Sequence, residues 1–127
     1  MQPFDFGQFM KEGGWGMWPV LVLGLVAVAA AVGACVRPRR LSLRFVGLLW
    51  LTLAAVMTHA VITDVAAVCR GLSDPPWPGN QDFVRMAFAG LKESSRPAAL
   101  GGIFLTLVPL IAAIGAYRQS SGDAATG

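Results

Sequence analysis

Polar side chains that can move protons or form hydrogen bonds interrupt an apolar segment in the middle of the chain. The segment covers residues 45–69, and its polar members are Thr52, Thr58, His59, Thr63 and Asp64. At 100° per residue on a helix, Thr52, His59 and Thr63 fall within about 40° of one another, whereas the other two point elsewhere. One narrow polar stripe on an apolar helix is typical of a helix that lines a pore or packs against another polar helix.

These polar groups have a structural interpretation beside the functional one. Threonines in membrane helices commonly donate to their own backbone, and a single histidine can be packed between helices, so a purely structural stripe is supported equally. Imidazole, by contrast, exchanges protons near neutral pH. A carboxylate within an apolar span costs on the order of 3 kcal/mol, so Asp64 needs a partner or a function. It lies in the outer half of the segment, where water can reach it.

The composition indicates a membrane protein. Of the 127 residues, 55% are hydrophobic and 13% are charged, whereas soluble domains contain about one quarter charged residues. Three apolar runs reach the length needed to cross about 30 Å of hydrocarbon, and they cover residues 17–36, 45–69 and 98–117. We therefore predict an all-α integral membrane fold with three transmembrane helices. We interpret the net charge of +3 as a consequence of membrane topology rather than of nucleic-acid binding.

The remaining residues form an N-terminal interfacial segment, two connections and a tail. These cover residues 1–16, 37–44, 70–97 and 118–127. In the first segment, an amphipathic cluster and two tryptophans suit the headgroup level of a bilayer, and they comprise Phe4, Phe6, Phe9, Met10, Trp15 and Trp18. Small residues in the first span predict close helix packing, and they are Gly24, Ala27, Ala31 and Gly33.

The connection over residues 37–44 is densely basic and contains no acidic residue. Its cations are Arg37, Arg39, Arg40 and Arg44. By the positive-inside rule this loop is cytoplasmic, which places the N-terminus outside and the C-terminus in the cytoplasm. A site for anionic lipid headgroups is compatible with the same orientation.

The connection over residues 70–97 begins with a breaker-rich turn and then regains helical spacing. Phe83, Ala87, Phe88 and Leu91 recur on one side of residues 81–95, which predicts a short amphipathic extracytoplasmic helix. Pro97 is expected to break or restart the helix before the third span. Within that span, Pro109 predicts a kink or a freed carbonyl near mid-membrane, and Thr106 adds a hydroxyl.

Other site chemistries find little support in the sequence. Cys35 and Cys69 are expected on opposite membrane faces, so they predict neither a disulfide within one chain nor a metal site. No nucleophile and base form a convincing pair, and no phosphate-binding loop is present, so we predict a protein that is not an enzyme and holds no cofactor.

Three patches of the sequence resemble the MotA/TolQ/ExbB proton-channel family. The first is GGWGMWPVLVLGLVAVAAAV, where a Gly-rich start and an aromatic–Pro pair precede an aliphatic run, and the second is the Gly-Leu-Leu that begins at Gly47. The third is AGLKESSRPAALGGIFLTLVPLIAAIGAYR, which is similar to a family segment leading into a last span with an Ile-Pro pair and a Tyr. The matched positions are Gly47, Gly90, Glu93, Gly101, Pro109 and Tyr117.

The family usually carries a large cytoplasmic segment between its first two spans, and here only RPRRLSLR connects them. The threonine that the family has early in its last span is replaced by Ala98. His59 and Asp64 do not belong to the family pattern.

The resemblance implies an oligomeric ring, typically of five copies, in a bacterial inner membrane. Such rings surround the single membrane helices of a partner of the ExbD/TolR/MotB kind, whose aspartate carries the proton in energy transduction driven by the proton-motive force. On this interpretation the pore-lining or proton-pathway residues are Thr52, His59, Thr63, Asp64 and Thr106.

Two other functions remain open at this point. The chain can be a non-conducting scaffold or anchor subunit of a larger complex, which the short loop and Ala98 favour. It can also be an anchor in which His59 ligates haem, but the chain has a single histidine, so another subunit or residue type would have to supply the second axial ligand.

Overall fold

The computed structural model describes residues 5–12, 14–37, 42–73 and 80–124, and nearly all of these residues are helical, with no strand among them. The helices are α1 (Phe6–Glu12), α2 (Met17–Val36), α3 (Leu43–Ser73) and α4 (Asn80–Ala124). Three of them contain spans long and apolar enough to cross a membrane, at Met17–Val36, Leu43–Ser73 and Asp82–Ser121. The predictions of an all-α fold and of three such helices are confirmed.

Local capping explains where two of the helices begin. The Asp5 carboxylate accepts hydrogen bonds from the backbone N–H groups of Gly7 and Gln8, at 2.8 and 3.3 Å. The Ser42 hydroxyl accepts from the Phe45 N–H at 3.3 Å at the start of α3. Both are side-chain N-caps, which satisfy donors that the first helical turn leaves without partners.

The register of the three long helices follows from close contacts at glycines. A Cβ added at Gly16 would lie 2.8 Å from the Ala60 Cβ, so the start of α2 is level with Ala60 of α3. Gly24 lies against the Phe104 ring, and Gly115 against the Cys35 sulfur. Since both residue numbers rise together in these last two contacts, α4 runs parallel to α2. In contrast, Gly90 lies against Val68 and Gly101 against Met57, so α3 runs antiparallel to both.

The core between α2, α3 and α4 consists of two apolar clusters. The one nearer the start of α2 contains Met10, Met17, Val20, Leu53, Leu100 and Phe104. The other is built on the alanines of α2 and contains Ala27, Ala30, Ala31, Ala34, Val46 and Val108. The close packing predicted for Gly24, Ala27 and Ala31 is confirmed, since all three are buried, while Gly33 is half-buried.

The predicted amphipathic helix is not a separate element. Its residues form the first part of α4, which continues without interruption through Pro97 and Pro109. A proline removes one N–H and so frees one carbonyl, and a helix can continue where packing outweighs that loss. Pro97 is fully buried in the bundle, and the carbonyl that it frees belongs to Glu93, an exposed residue. Packing therefore holds the helix together where the sequence predicts a break.

Beyond the start of α2, the last part of α3 and the first part of α4 form a helical hairpin. α3 continues for 13 residues past Ala60, or about 20 Å at 1.5 Å per residue. Gly90 of α4 packs there against Val68 of α3. Up to about Ala60, α3 therefore packs in the three-helix bundle. Beyond Ala60, α3 packs in the hairpin with α4.

Candidate functional site

A pocket between the start of α2 and the middle of α3 brings together most of the predicted polar residues. This α2–α3 pocket has a volume of about 350 Å³, and it is lined by Trp15, Gly16, Pro19, Val56, His59, Ala60, Thr63 and Asp64. Gly16 and Ala60 both line it, and they approach each other closely because Gly16 has no side chain.

Three polar side chains of α3 face this pocket within five residues of one another. The Thr63 hydroxyl donates to the His59 carbonyl oxygen at 2.8 Å, which leaves its oxygen free to accept. His59 and Thr63 are exposed on the surface of the single chain, and Asp64 is half-buried. The pocket thus offers an imidazole, a hydroxyl oxygen and a carboxylate, groups that can accept or relay a proton or bind a cation.

The position of Asp64 along α3 explains how a carboxylate is tolerated in an apolar helix. It follows Ala60 by one helical turn, and Ala60 is level with Gly16, where α2 is about to begin. Asp64 therefore lies at the end of the bundle rather than at its centre. The cost of a charge in a membrane is largest at the midplane and falls toward the interface, where water reaches the carboxylate.

Thr52 and Thr106, two predicted members of the proton pathway, lie outside this pocket. The Thr52 hydroxyl donates to the Leu48 carbonyl at 2.9 Å, and that of Thr106 donates to the carbonyls of Gly102 and Ile103, each at 2.9 Å. Both residues are exposed. Because both hydroxyl hydrogens are donated to carbonyls of the same helix, the hydroxyl oxygens can only accept hydrogen bonds from other groups.

Replacing Thr52 by valine is expected to change the free energy of unfolding by less than about 0.5 kcal/mol, because its hydroxyl bonds only to its own helix. Thermal denaturation of the purified protein in detergent micelles measures this. Thr58→Val is the matched control, because the Thr58 hydroxyl donates to the Ala54 carbonyl at 2.8 Å and the residue is likewise exposed. A clearly larger loss for Thr52→Val than for Thr58→Val would show that Thr52 has a partner outside its helix.

The positions matched to the MotA/TolQ/ExbB pattern serve three different contacts. Gly47 and Pro109 line an open apolar groove of about 410 Å³ between α3 and α4, together with Trp50. Gly101 packs on the Met57 side chain, where an added Cβ would lie 2.6 Å from the sulfur. Gly90 and Glu93 line a third opening of about 300 Å³ in the hairpin. Tyr117 is exposed near the end of α4.

Trp50 makes a contact that the sequence does not reveal. Its indole Nε1–H donates to the Leu105 carbonyl oxygen at 2.9 Å. That carbonyl is four residues before Pro109, so it is the one that the missing proline N–H leaves without a helical donor. The sequence predicts the freed carbonyl, but the donor is 55 residues away in the chain, and only the packing of α3 on α4 identifies it.

The predicted basic loop lies only partly within the described residues. Arg37 follows α2, and its backbone N–H donates to the Gly33 carbonyl at 2.8 Å. Arg44 is exposed in the first turn of α3. Arg39 and Arg40 lie outside the described residues.

Cysteine and metal chemistry add no further site in the part of the chain that the structure describes. Both cysteines are free thiols, and the Cys35 Sγ–H donates to the Ile111 carbonyl at 3.1 Å. No group of three His, Cys, Asp or Glu side chains there is close enough to hold a metal ion.

Comparisons of the chain with protein-family models, with curated proteins and with solved structures find no match.

Proposed function

We propose that the chain is a TolQ/ExbB-like inner-membrane subunit that forms a homo-oligomeric ring and transduces the proton-motive force with a single-span partner. The observation that carries this proposal is the outward position of the polar stripe on α3. Thr52, His59 and Thr63 are all exposed on the surface of the three-helix unit. Packing within the single chain thus leaves these three side chains accessible to other molecules.

Membrane physics supplies the reason to place this stripe against other protein. Polar side chains within spans rarely face lipid, and they generally face a bundle interior or a water-filled cavity. Both buried clusters of the three-helix unit consist of apolar side chains. A passage for protons would therefore run between copies of the chain, or between them and a central partner helix, with the stripe on its wall.

In this role the stripe residues act as acceptors and relays rather than as an enzyme's active site. The oxygens of Thr52 and Thr63 accept hydrogen bonds from water or from a protonated partner carboxylate, since their own hydrogens are donated to the backbone. The imidazole of His59 has two ring nitrogens that can donate or accept hydrogen bonds. We assign the partner to the ExbD/TolR/MotB kind and place the N-terminus outside and the C-terminus in the cytoplasm.

Proton flux into liposomes tests this function. The purified protein is reconstituted alone and with a candidate single-span partner, and a potassium diffusion potential drives protons that a pH-sensitive dye reports. We expect flux that requires the partner and that falls at least about a hundredfold in His59→Ala, the lower end of the scale for one acid–base group. Thr58→Ala, on the same helix but off the stripe, should retain the wild-type rate.

A scaffold or anchor function is the alternative, and the glycine contacts favour it. Gly24, Gly101 and Gly115 each leave no room for a Cβ beside the neighbouring helix, which is the packing of a rigid unit. A preparation that forms a defined oligomer by native mass spectrometry but carries no flux with or without the partner would contradict proton conduction and support the scaffold.

A further inference from the structure

The lining of the α2–α3 pocket favours a cationic group of a ligand. Asp64 is its one acidic side chain, and no lysine or arginine lines it among the described residues. Trp15, just before α2, also lines the pocket, and an indole face attracts cations through its π-electrons. A carboxylate and an indole that line one pocket are both groups that bind an ammonium ion.

The pocket is also polar at one end and apolar at the other. Along α3, Asp64 and Thr63 lie at its outer end, His59 and Ala60 in the middle, and Val56 at its inner end. Residues 56–64 span about 12 Å at 1.5 Å per residue. This gradient matches an amphiphile that enters with its chains directed into the membrane and its headgroup directed outward.

The level of the pocket coincides with the expected position of lipid headgroups. It lies at the start of α2, where Trp15 is 88% exposed and Trp18 is 57% exposed. Tryptophan is enriched at the membrane–water interface. The pocket therefore opens at the level where the headgroups of surrounding phospholipids are most concentrated. A soluble ligand would have to compete with these headgroups for the pocket.

We propose that the α2–α3 pocket binds a phospholipid with a primary ammonium headgroup, such as phosphatidylethanolamine, with the ammonium on Asp64 and Trp15. A primary ammonium donates up to three hydrogen bonds, which suits a carboxylate acceptor, whereas a trimethylammonium group donates none. His59 lies five residues before Asp64 on α3 and lines the same pocket, where an imidazole N–H can donate to the adjoining phosphate. The lipid site shares His59 and Thr63 with the proposed proton pathway, but its test on the solubilised chain requires neither a ring nor proton flow.

Short-chain lipids provide the test. Dihexanoyl phosphatidylethanolamine, phosphatidylcholine and phosphatidylglycerol are titrated onto the detergent-solubilised protein, and binding is followed by native mass spectrometry and by thermal shift. We expect phosphatidylethanolamine to bind at least about tenfold more tightly than either phosphatidylglycerol or phosphatidylcholine, the scale of one charge-assisted hydrogen bond. Asp64→Asn should abolish this preference, and Asp82→Asn, at an exposed acid of α4 outside the pocket, should leave it intact.

A second variant keeps the test valid if Asp64→Asn folds poorly. Thr63→Lys places an ammonium beside the Asp64 carboxylate from an exposed position of the pocket, and it should remove the preference by occupying the ligand's place. Equal binding of phosphatidylethanolamine and phosphatidylglycerol, or loss of the preference in Asp82→Asn, would overturn the proposal. Competition by water-soluble phosphoethanolamine at the same concentration as the lipid would also overturn it, because the pocket would then recognise a free amine rather than a lipid.

Discussion

Replacing Gly24 by alanine should lower the free energy of unfolding by about 1–3 kcal/mol, the range for overpacking a well-packed core. A Cβ at this position would overlap the side chain of Phe104. Gly24 and Phe104 are both buried, so neither α2 nor α4 can shift without disturbing the apolar cluster around Met17 and Val20. Thermal denaturation in detergent micelles, followed by circular dichroism, measures the loss.

Gly102→Ala is the matched control for Gly24→Ala. Gly102 lies in the same helix as Phe104, and a Cβ added there would meet nothing within 4 Å. Its replacement should leave stability unchanged or raise it slightly, since alanine is the better helix former. If the two variants lose the same amount of stability, α2 and α4 do not pack closely at Gly24.

A compensating change separates overpacking from a general sensitivity of α2. Phe104→Leu alone leaves a space beside Gly24 and is expected to destabilise the protein. Combined with Gly24→Ala, the smaller side chain makes room for the added methyl group, so the double variant should lose less than the sum of the two single losses. Strictly additive losses would contradict a direct contact between residues 24 and 104.

The sequence predicts the class of this fold well, because length and hydrophobicity alone determine which segments can span a membrane. The three apolar runs lie in α2, α3 and α4. The sequence does not predict that α4 continues through Pro97, since the rule for prolines is local, whereas the burial of Pro97 in the bundle depends on all three helices.

The sequence likewise identifies the polar residues of the candidate site but not which residues they contact. His59, Thr63 and Asp64 stand out in the sequence because they are polar within an apolar run. That they share a pocket with Trp15 and Pro19 depends on the register of α2 against α3. The contact of Gly16 with Ala60 sets that register, and many other pairs of small residues in these helices would be equally plausible from the sequence.

The second large effect is expected at Trp50, whose indole N–H donates to the Leu105 carbonyl that Pro109 leaves without a helical donor. Trp50→Phe keeps an aromatic ring but removes the donor, so a carbonyl between two membrane helices loses its partner. Hydrogen bonds between membrane helices are worth about 0.6–1.7 kcal/mol, and an unsatisfied polar group in an apolar setting adds to the loss. We therefore expect Trp50→Phe to lower the free energy of unfolding by about 1–2 kcal/mol.

The proline itself provides the decisive comparison for this hydrogen bond. In Pro109→Ala the new backbone N–H can donate to the Leu105 carbonyl within α4, so the Trp50 indole is no longer that oxygen's sole donor. Trp50→Phe should then cost at least about 0.5 kcal/mol less in the Pro109→Ala background than in the wild type, a coupling that a double-mutant cycle resolves. Trp18→Phe, at an exposed indole of α2, is the control and should cost the same in both backgrounds.

The outcome also bears on how α3 and α4 are held together. Trp50 and Pro109 both line the α3–α4 groove, together with Gly47 and Val108. If the coupling is found, the indole links the two helices at the point where the proline interrupts the hydrogen bonding of α4, and it fixes the shape of the groove. If Trp50→Phe costs the same with proline or alanine at position 109, the indole contributes by packing alone, and the angle of α4 is set elsewhere.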